Sequence, residues 1–380
     1  MAKTKQQTKN WRKIRLGEVF NISREFGRKI KVSEYKKKGK IPVYDQGNNE
    51  ISGYTDDISS VYKGKLPAIL FGDHTLKLRI INHSFSIGAD GIQILEPSEK
   101  IFDRVFFFYC LKFTISKLLK SYGYERHLKY LKEVEVVIPE DINEQKRIAD
   151  ILSAFDEKIE LNNKINQILE EMAQAIFKEW FVKSEKLKMK SEKLSNLVDT
   201  QYGYTQTAND KEIGPKFLRV KDINKANWID WNSVPYCRIG EENFKKYKLK
   251  KGDIVIARMA DPGKVGIIER EINAVFGSYL IRLQIKSSKI TPYFLYYYLK
   301  SPLYQNFILG VSTGTTRKSI NAKMMVNCNI LIPPREILEK FEMIISRIRQ
   351  KINLNLVENQ KLSALRDLLL PKLMSGEIRV

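Results

Sequence analysis

Apolar residues recur at heptad spacing along two stretches of the chain, each about 40 residues long. No glycine or proline interrupts residues 144–182, and Asp141 followed by Glu144 resembles a capping box at the start of a helix. The spacing predicts two long helices that pair along a coiled-coil seam, and ~1.5 Å per residue gives each a length of roughly 60 Å. The predicted seam positions are Ile148, Leu152, Phe155, Ile159, Asn162, Asn166, Leu169, Ala173, Ile176 and Trp180 in the first helix, and Phe341, Ile345, Ile348, Ile352, Asn355, Asn359, Leu362, Arg366, Leu369 and Leu373 in the second.

Two asparagines stand in the middle of each seam, Asn162 and Asn166 in the first helix and Asn355 and Asn359 in the second. They would face one another in a parallel or an antiparallel pair. We expect an antiparallel pair, because the second globular region must fit between the end of the first helix and the start of the second. Polar seam residues cost stability and fix register. We therefore predict that these four set the spacing of the globular regions, and that leucine at all four raises the melting temperature; the alternative is that they are solvated positions.

Short apolar runs of β character precede each helix, and both regions end in Ile-Pro, at residues 138–139 and 332–333. Proline at this point ends a strand and suits the first turn of a following helix. Each region also contains a late aromatic run, FFFYCLK at 106–112 and FLYYYLK at 294–300. We interpret these runs as buried helices rather than platforms for stacking bases.

The chain contains an internal repeat. Residues 158–169 (KIELNNKINQIL) and 351–362 (KINLNLVENQKL) are identical at seven of twelve positions, at an offset of 193. This period is too long for a solenoid, so the repeat indicates two copies of a domain plus a helix. The predicted fold is α+β: two similar mixed α/β domains separated by two long antiparallel coiled-coil helices, with a pseudo-two-fold repeat. The predicted boundaries are residues 1–140 and 191–334 for the globular domains and residues 141–190 and 335–380 for the helices.

The charge favours a polyanionic partner. The chain has 66 Lys+Arg against 44 Asp+Glu, a formal net charge of +22. A lysine-rich genome would be the alternative explanation, but the excess is clustered. Residues 1–40 hold fourteen basic against three acidic residues, and residues 244–251 (FKKYKLKK) hold five lysines.

Several classes of chemistry lack their sequence signals. The three cysteines are far apart and the three histidines lack metal-ligand spacing, so we expect neither disulfides nor a metal site. There is no phosphate-binding GxxxxGK[ST] loop, no GxGxxG and no Asn/Asp-Pro-Pro-aromatic tetrapeptide of adenine methyltransferases. We therefore expect no catalytic residues and no cofactor on this chain. The basic N-terminus is not followed by an apolar stretch, and no apolar run approaches a membrane span, so we expect a cytoplasmic protein.

Polar loops that combine glycine with amide, hydroxyl and basic side chains recur in both regions. Glycine permits close backbone approach, and these side chains bond base edges and phosphates in a DNA groove. Arg126 and Arg317 stand at matching places and are candidates for guanine or phosphate. The candidate contact residues are Tyr44, Gln46, Asn48, Asn49, His74, Lys77, Tyr122, Tyr124, Arg126 and His127 in the first region, and Tyr204, Thr205, Gln206, Lys221, Asp222, Arg258, Lys264, Thr315, Thr316, Arg317 and Lys318 in the second.

With these features the chain resembles the specificity subunits of Type I restriction-modification systems, over essentially all of its length. The most specific matches are IPEDINEQKRIADILSAFDEKI (138–159), GTTRKSI (314–320) and LLLPKLMSGEI (368–378). The openings IRLGEV (14–19) and IPVYDQGNNEISGYTDD (41–57) also match the family. The second copy departs at residues 337–341, where ILEKF replaces INEQKRI, which makes the start of its helix less typical.

The resemblance implies two target-recognition domains, each contacting one half of a bipartite, asymmetric site in double-stranded DNA. It implies two modification subunits that bind S-adenosylmethionine and methylate adenine, docked on the helices. A motor-nuclease subunit using ATP and magnesium is a further partner of the family. Phe177, Trp180 and Phe181 are a candidate docking surface; packing against a globular domain is the alternative.

Three other interpretations compete with this one. A stand-alone DNA-binding or architectural protein would share the charge and the repeat. A fused methyltransferase or nuclease would need the motifs that are absent. A specificity subunit of a related restriction enzyme without a separate motor is the closest alternative.

Overall fold

The computed structural model describes residues 10–47, 49–88, 91–118, 126–183, 188–224, 226–312 and 319–380. The chain forms two compact units. Unit 1 comprises Met1–Leu161 with Glu358–Val380, and unit 2 comprises Asn162–Val357. Each unit therefore combines one globular region with half of each long helix.

Unit 1 contains a four-stranded antiparallel sheet, a smaller sheet and a strand pair. Its elements are β1 (Trp11–Arg15), β2 (Phe20–Ser23), β3 (Ile41–Tyr44), β4 (Gly53–Thr55), β5 (Ala68–Gly72), β6 (Leu78–Ile81), β7 (Ser86–Ile87), β8 (Ile92–Pro97), α1 (Arg104–Leu118), α2 (Leu128–Glu133), β9 (Glu135–Pro139) and the first long helix α3 (Ile142–Phe177), which continues into unit 2. The large sheet has the order β2-β8-β5-β6 and the small one the order β4-β3-β7, in which β3 and β7 are parallel. Strand β1 pairs antiparallel with β9 and so joins the start of the domain to the strand before α3.

Unit 2 repeats this topology. A π-helical turn at Lys178–Val182 follows α3, and the elements are β10 (Lys190–Lys193), β11 (Val198–Tyr202), β12 (Lys216–Leu218), α4 (Val220–Ile223), α5 (Glu241–Tyr247), β13 (Ile254–Ala257), β14 (Val265–Ile267), β15 (Ala274–Phe276), β16 (Leu280–Ile285), α6 (Pro292–Lys300), α7 (Pro302–Ser312), α8 (Ala322–Met325), β17 (Asn329–Ile332) and the second long helix α9 (Arg335–Met374). Its large sheet has the order β11-β16-β13-β14, β10 pairs with β17, and β12 runs parallel to β15. Each pairing has its counterpart in unit 1, which confirms the predicted internal repeat.

The aromatic runs lie in α1 and α6 and are buried. Phe106 through Leu111 and Phe294 through Leu299 belong to the main cores of their units. These helices pack between the large sheet and the long helices. Almost every side chain of each run is apolar, so the helix must be covered by other elements on more than one side. Both runs are buried helices, as predicted.

The long helices pair antiparallel within each unit. In unit 1, Lys158 of α3 lies 3.7 Å from Glu358 of α9. In unit 2, the Asn355 side-chain amide donates to Asn166 Oδ1 at 2.8 Å. Every predicted seam position is buried or half-buried, including all four asparagines. The prediction of an antiparallel coiled coil with asparagines inside its seam is confirmed.

The start of α3 differs from the predicted capping box. Asp141 Oδ1 accepts the Asn143 backbone N–H at 2.9 Å, but the Glu144 carboxylate accepts the indole N–H of Trp11 at 3.1 Å. The buried side chain of Gln145 makes three further hydrogen bonds near the start of the helix. Its amide donates to Ile101 O and Pro139 O, and its Oε1 accepts the backbone N–H of Asp103. The side chain of Gln145 therefore joins the helix start to the segment before α1.

In unit 1, a carboxylate on α3 joins the aromatic helix to both long helices. Asp156 accepts the hydroxyl of Tyr109 at 2.8 Å, and Lys112 lies 3.3 Å from it. Arg366 of α9 donates to the other carboxylate oxygen. Burial raises the pKa of Asp156, but Lys112 and Arg366 outweigh it and hold that pKa below its usual value.

Unit 2 has a corresponding cluster around Glu170, which is fully buried. Tyr297 donates to Glu170 at 2.9 Å, Lys300 contacts it at 2.5 Å, and Arg349 of α9 donates at 2.6 Å. Arg349 is also held by Glu269 through two bonds of 2.6 and 2.7 Å. Burial raises the pKa of Glu170, yet Lys300 and Arg349 keep it below its usual value. Tyr109 and Lys112 match Tyr297 and Lys300 at the offset of 188 that aligns the aromatic runs.

The asparagine pair yields a stability prediction. Asn166→Leu combined with Asn355→Leu is expected to raise the melting temperature by about 2–4 °C, since replacing both buried amides is worth ~1 kcal/mol in a domain of this size. Asn355→Leu alone should lower it, because Asn166 then loses its bonded donor. Differential scanning calorimetry of the three proteins measures both effects. A double variant that melts below the wild type would contradict this account.

Candidate nucleic-acid interface

Three loop segments occupy equivalent places in the two units. The strand-end loop follows β3 or β12 and is described at residues 45–47 and 49–50 or at residues 219–224. The hairpin turn joins β5 to β6 or β13 to β14 and comprises residues 73–77 or 258–264. The pre-helix segment precedes α2 or α8 and is described at residues 126–127 or 319–321.

Matching backbone hydrogen bonds establish the equivalence. Gly88 N donates to Tyr44 O at 2.7 Å in unit 1, and Gly277 N donates to Leu218 O at 2.8 Å in unit 2. The hairpin turns close through Gly72 N to Lys77 O and Ala257 N to Lys264 O, both 2.8 Å. Finally, His127 N bonds Asp73 O at 2.9 Å, and Ile320 N bonds Arg258 O at 3.0 Å. The three segments therefore occupy matching places in the two units, and in each the pre-helix segment contacts the hairpin turn.

A buried arginine holds the strand-end loop of unit 1. Arg79 of β6 donates to the carbonyls of Asp45, Gly47 and Asn49 at 2.7–2.8 Å. These bonds satisfy the backbone of the loop from inside, so its side chains need not do so. Gln46 is half-buried and Asn49 exposed. A sequence pattern could not assign this role to Arg79; its only signal is a charge inside the apolar strand LRII.

Asp73 joins the hairpin turn of unit 1 to the pre-helix segment. Its carboxylate accepts the backbone N–H of Leu128 at 2.8 Å, at the start of α2, and its carbonyl accepts that of His127. The turn also meets the strand-end loop, because His74 N donates to Gln46 Oε1 at 3.3 Å. Candidate residues from three separate stretches of the sequence are thus brought together. Arg126, which is exposed, directly precedes His127 in the chain.

The hairpin turn of unit 1 carries Lys77 close to the buried Arg79. Burial lowers the pKa of Lys77, and the positive charge of Arg79 lowers it further. A phosphate bound there would offset the repulsion from Arg79, since it would supply a negative charge close to the ammonium group. The turn therefore suits a position against the DNA backbone.

An ion pair shapes the strand-end loop of unit 2. Asp222 accepts the Arg219 backbone N–H and two guanidinium N–H bonds, all at 2.9 Å, and so caps α4. Lys221 beside it is exposed. The loop packs close to the hairpin turn, because Ile223 lies against Gly266 at the start of β14.

The hairpin turn of unit 2 is held at both of its ends. The Arg258 guanidinium lies 5.0 Å from the centre of the Tyr202 ring, and the Tyr202 hydroxyl accepts the backbone N–H of Ala322 at the start of α8. Gln305 of α7 donates to Gly263 O at 2.9 Å. Exposed Lys264 ends the turn, 3.8 Å from Asp261. Arg258 and Lys264 are therefore carried on a supported turn.

The remaining candidates of unit 2 lie next to the lysine-rich segment 244–251. The ring of Tyr204 packs 5.3 Å from that of Tyr247, whereas Thr205 and Gln206 are exposed. Buried Arg282 donates to Lys248 O at 2.7 Å and also bonds Gln201. Arg282 thus holds the lysine-rich segment from the interior, as Arg79 holds the strand-end loop in unit 1.

The structure corrects several individual assignments. Tyr44, His127 and Asp222 are buried, so their side chains are not expected to contact DNA directly in this conformation. Tyr44 bonds His83, and burial raises its pKa to about 12. Phe177 and Phe181 are not a docking surface, because they pack in the core of unit 2 with Phe294 and Phe341 while Trp180 is half-buried beside them. Asn48, Tyr122, Tyr124, Thr315, Thr316, Arg317 and Lys318 lie outside the described residues.

The described part of the chain holds no group of three or more His, Cys, Asp or Glu side chains arranged to bind a metal ion. None of its helices combines the length and the apolar character that a membrane span requires.

Comparison with known proteins identifies the repeated domain. The model of the Type I restriction modification DNA specificity domain matches residues 8–171 and again residues 187–364. The MjaIX specificity subunit of Methanocaldococcus jannaschii is 31% identical over 278 residues, which cover 66% of this chain and 62% of that protein. The MjaVIII subunit of the same organism is 28% identical in an alignment of 388 residues that covers 90% of each chain. The S subunit of a Type I system from M. genitalium has the same fold, with a TM-score of 0.60 at 19% identity over 98% of both chains.

The contacts of Arg79 lead to a test of loop support. Arg79→Met removes three bonds to loop carbonyls, and we expect a loss of ~2–4 kcal/mol of stability. Backbone amides of residues 45–47 should exchange with deuterium faster than in the wild type. Lys65→Met is the control, since it removes only an exposed pair with Glu99 worth about 0–1 kcal/mol. Unchanged exchange at 45–47 would show that Arg79 does not hold the loop.

Proposed function

The chain belongs to the family of Type I restriction modification DNA specificity domains, and we propose that each of its two units recognises one half of a bipartite, asymmetric DNA target. The observation that carries this proposal is the convergence of the three segments in both units on a common framework. Such a repeat suits two related recognition events on one DNA molecule. The chain would supply sequence recognition, and catalysis would belong to its partner subunits.

Conserved geometry with different side chains supports two different half-sites. In the alignment that these hydrogen bonds give, Lys77 of unit 1 corresponds to Lys264 of unit 2, and Asp73 corresponds to Arg258. Lysine at the same place in both turns suits a phosphate contact, which every DNA sequence offers. Half-buried Gln46 of unit 1 has no polar counterpart, because the aligned position of unit 2 holds the buried core residue Val220, and differences of this kind would distinguish bases. Each good base contact is worth ~1–3 kcal/mol of discrimination.

The net charge of +22 supports the non-specific part of DNA affinity. Each phosphate neutralised by Lys or Arg releases counterions, so affinity should fall steeply with salt. Arg126 in unit 1 and Lys221 and Lys264 in unit 2 are exposed for such contacts.

Two adenine methyltransferase subunits are the proposed protein partners, one for each repeat. Exposed apolar side chains lie on each long helix: Ile168 and Met172 on α3 in unit 2, and Leu365 and Leu368 on α9 in unit 1. Met172 and Leu365 match at the offset of 193, so both repeats present an exposed apolar side chain at this position. S-adenosylmethionine would bind to these partners, and ATP with magnesium to a motor-nuclease subunit. The complex would act in the cytoplasm.

Methylation mapping tests recognition. The chain is co-expressed with the methyltransferase-like protein of its own genome, and methylated adenine is located by long-read sequencing. We expect one bipartite motif. Replacing residues 73–77 with a sequence from another specificity subunit should alter one half of it, and replacing residues 258–264 should alter only the other half.

The control is the same exchange in the exposed turn at residues 287–289, which should leave the motif unchanged. A complex that binds DNA without any methylation, or a chain that forms no complex, would favour a stand-alone DNA-binding protein. Both halves changing with one replacement would exclude one half-site per unit.

A helix variant tests docking. Met172→Glu with Leu365→Glu places a charge in both proposed contacts, and we expect at least a ten-fold loss of methyltransferase affinity, about 1.4 kcal/mol or more. The melting temperature should hardly change, since both side chains are about half exposed. Ile58→Glu, at an exposed position away from the helices, is the control. Unchanged co-purification would place the docking surface elsewhere.

A further inference from the structure

One position of the helix repeat carries opposite charges in its two copies. At the offset of 193, Asp156 of α3 corresponds to Arg349 of α9. Asp156 binds an arginine of the other helix in unit 1, and Arg349 binds a glutamate of the other helix in unit 2. The first helix therefore contributes only acids to these contacts, Asp156 and Glu170, and the second helix only arginines.

The partner positions confirm the asymmetry. Arg366 of α9 corresponds to Ala173 of α3, and Glu170 of α3 corresponds to Ser363 of α9. Neither helix therefore carries the side chain that would neutralise a second copy of itself. The seam asparagines behave differently, because Asn162 and Asn166 match Asn355 and Asn359 and would pair in either combination.

Pairing of like helices would bring like charges together. Two first helices in the register seen in both units would place Asp156 of one against Glu170 of the other, in the geometry of the present Glu170–Arg349 contact. Two second helices would place Arg349 against Arg366, in the geometry of the Asp156–Arg366 contact. Glu170 and Arg349 are fully buried, where an uncompensated charge is most costly.

We propose that Asp156, Glu170, Arg349 and Arg366 select the partner of each long helix: the first helix accepts the second and rejects another copy of itself. Every pair of repeats then contains one globular domain of each kind. Given the proposed function, this keeps the DNA target asymmetric, because a pair of like repeats would recognise two identical half-sites. Charges that choose between coiled-coil partners act through such repulsion as well as attraction.

The test uses the full-length chain, cut once after folding. A protease site is placed within residues 184–187, between the two repeats, and two cleaved preparations are made, one of them isotope-labelled. They are mixed under conditions that allow the halves to exchange, and native mass spectrometry counts the pairs. We expect pairs of unlike repeats only, whereas exchange without preference would put about half of the particles in like pairs.

A charge-matched variant provides the second readout. Glu170→Ser with Ala173→Arg gives the first helix the side chains that the second carries at Ser363 and Arg366. Pairs of two first repeats should then appear and become a major species. Ala173→Met adds similar bulk without charge and should produce no such pairs.

Two results would overturn the proposal. One is random pairing of the wild-type halves; the other is an Ala173→Arg double variant that forms no more like pairs than Ala173→Met does. The exchange requires neither DNA nor a methyltransferase. Its outcome is therefore independent of whether the proposed function is correct.

Discussion

A carboxylate of the first long helix that accepts bonds from two other helices is the contact on which each unit depends. Asp156 in unit 1 and Glu170 in unit 2 each accept bonds from a tyrosine and a lysine of the aromatic helix and from an arginine of α9. Glu170 is fully buried, and an acid in such a place is tolerated only when every partner is in position. The cluster therefore fixes the rotation of the long helices against the domain core, which apolar packing alone leaves less defined.

The candidate interface follows from the same use of buried polar groups. Arg79 satisfies three loop carbonyls from the interior, and Asp73 does the same for the start of α2. A loop whose backbone bonds are made inside can vary its outward side chains at little cost to the fold. Framework and recognition are thus carried by different residues of the same segment. This separation explains how two units with one topology can present different surfaces.

The sequence predicts the architecture better than the interface, for physical reasons. Heptad spacing and the repeat are local patterns, so the antiparallel helices, their seam and the aromatic helices could be predicted from it. The roles of Arg79 and Asp73 depend on partners 30 to 55 positions away, which no spacing reveals. The docking interpretation of Phe177 and Phe181 was wrong for a different reason. An apolar helix end has the same sequence pattern whether the domain core or a partner protein covers it.

Duplication creates a problem that the seam alone does not solve. Two helices that descend from one sequence would pair with themselves as well as with each other, and the asparagines, being the same in both, fix only their register. The difference must come from positions that have diverged. Here it lies at the junctions with the domains, where Asp156 and Arg349 occupy matching places with opposite charge. Glu170 and Arg349 are fully buried at one of these junctions, so a single substitution of either has more effect than one at the solvated surface. Symmetry of the backbone and asymmetry of the charge are therefore both needed for one chain to hold two different domains in a defined pair.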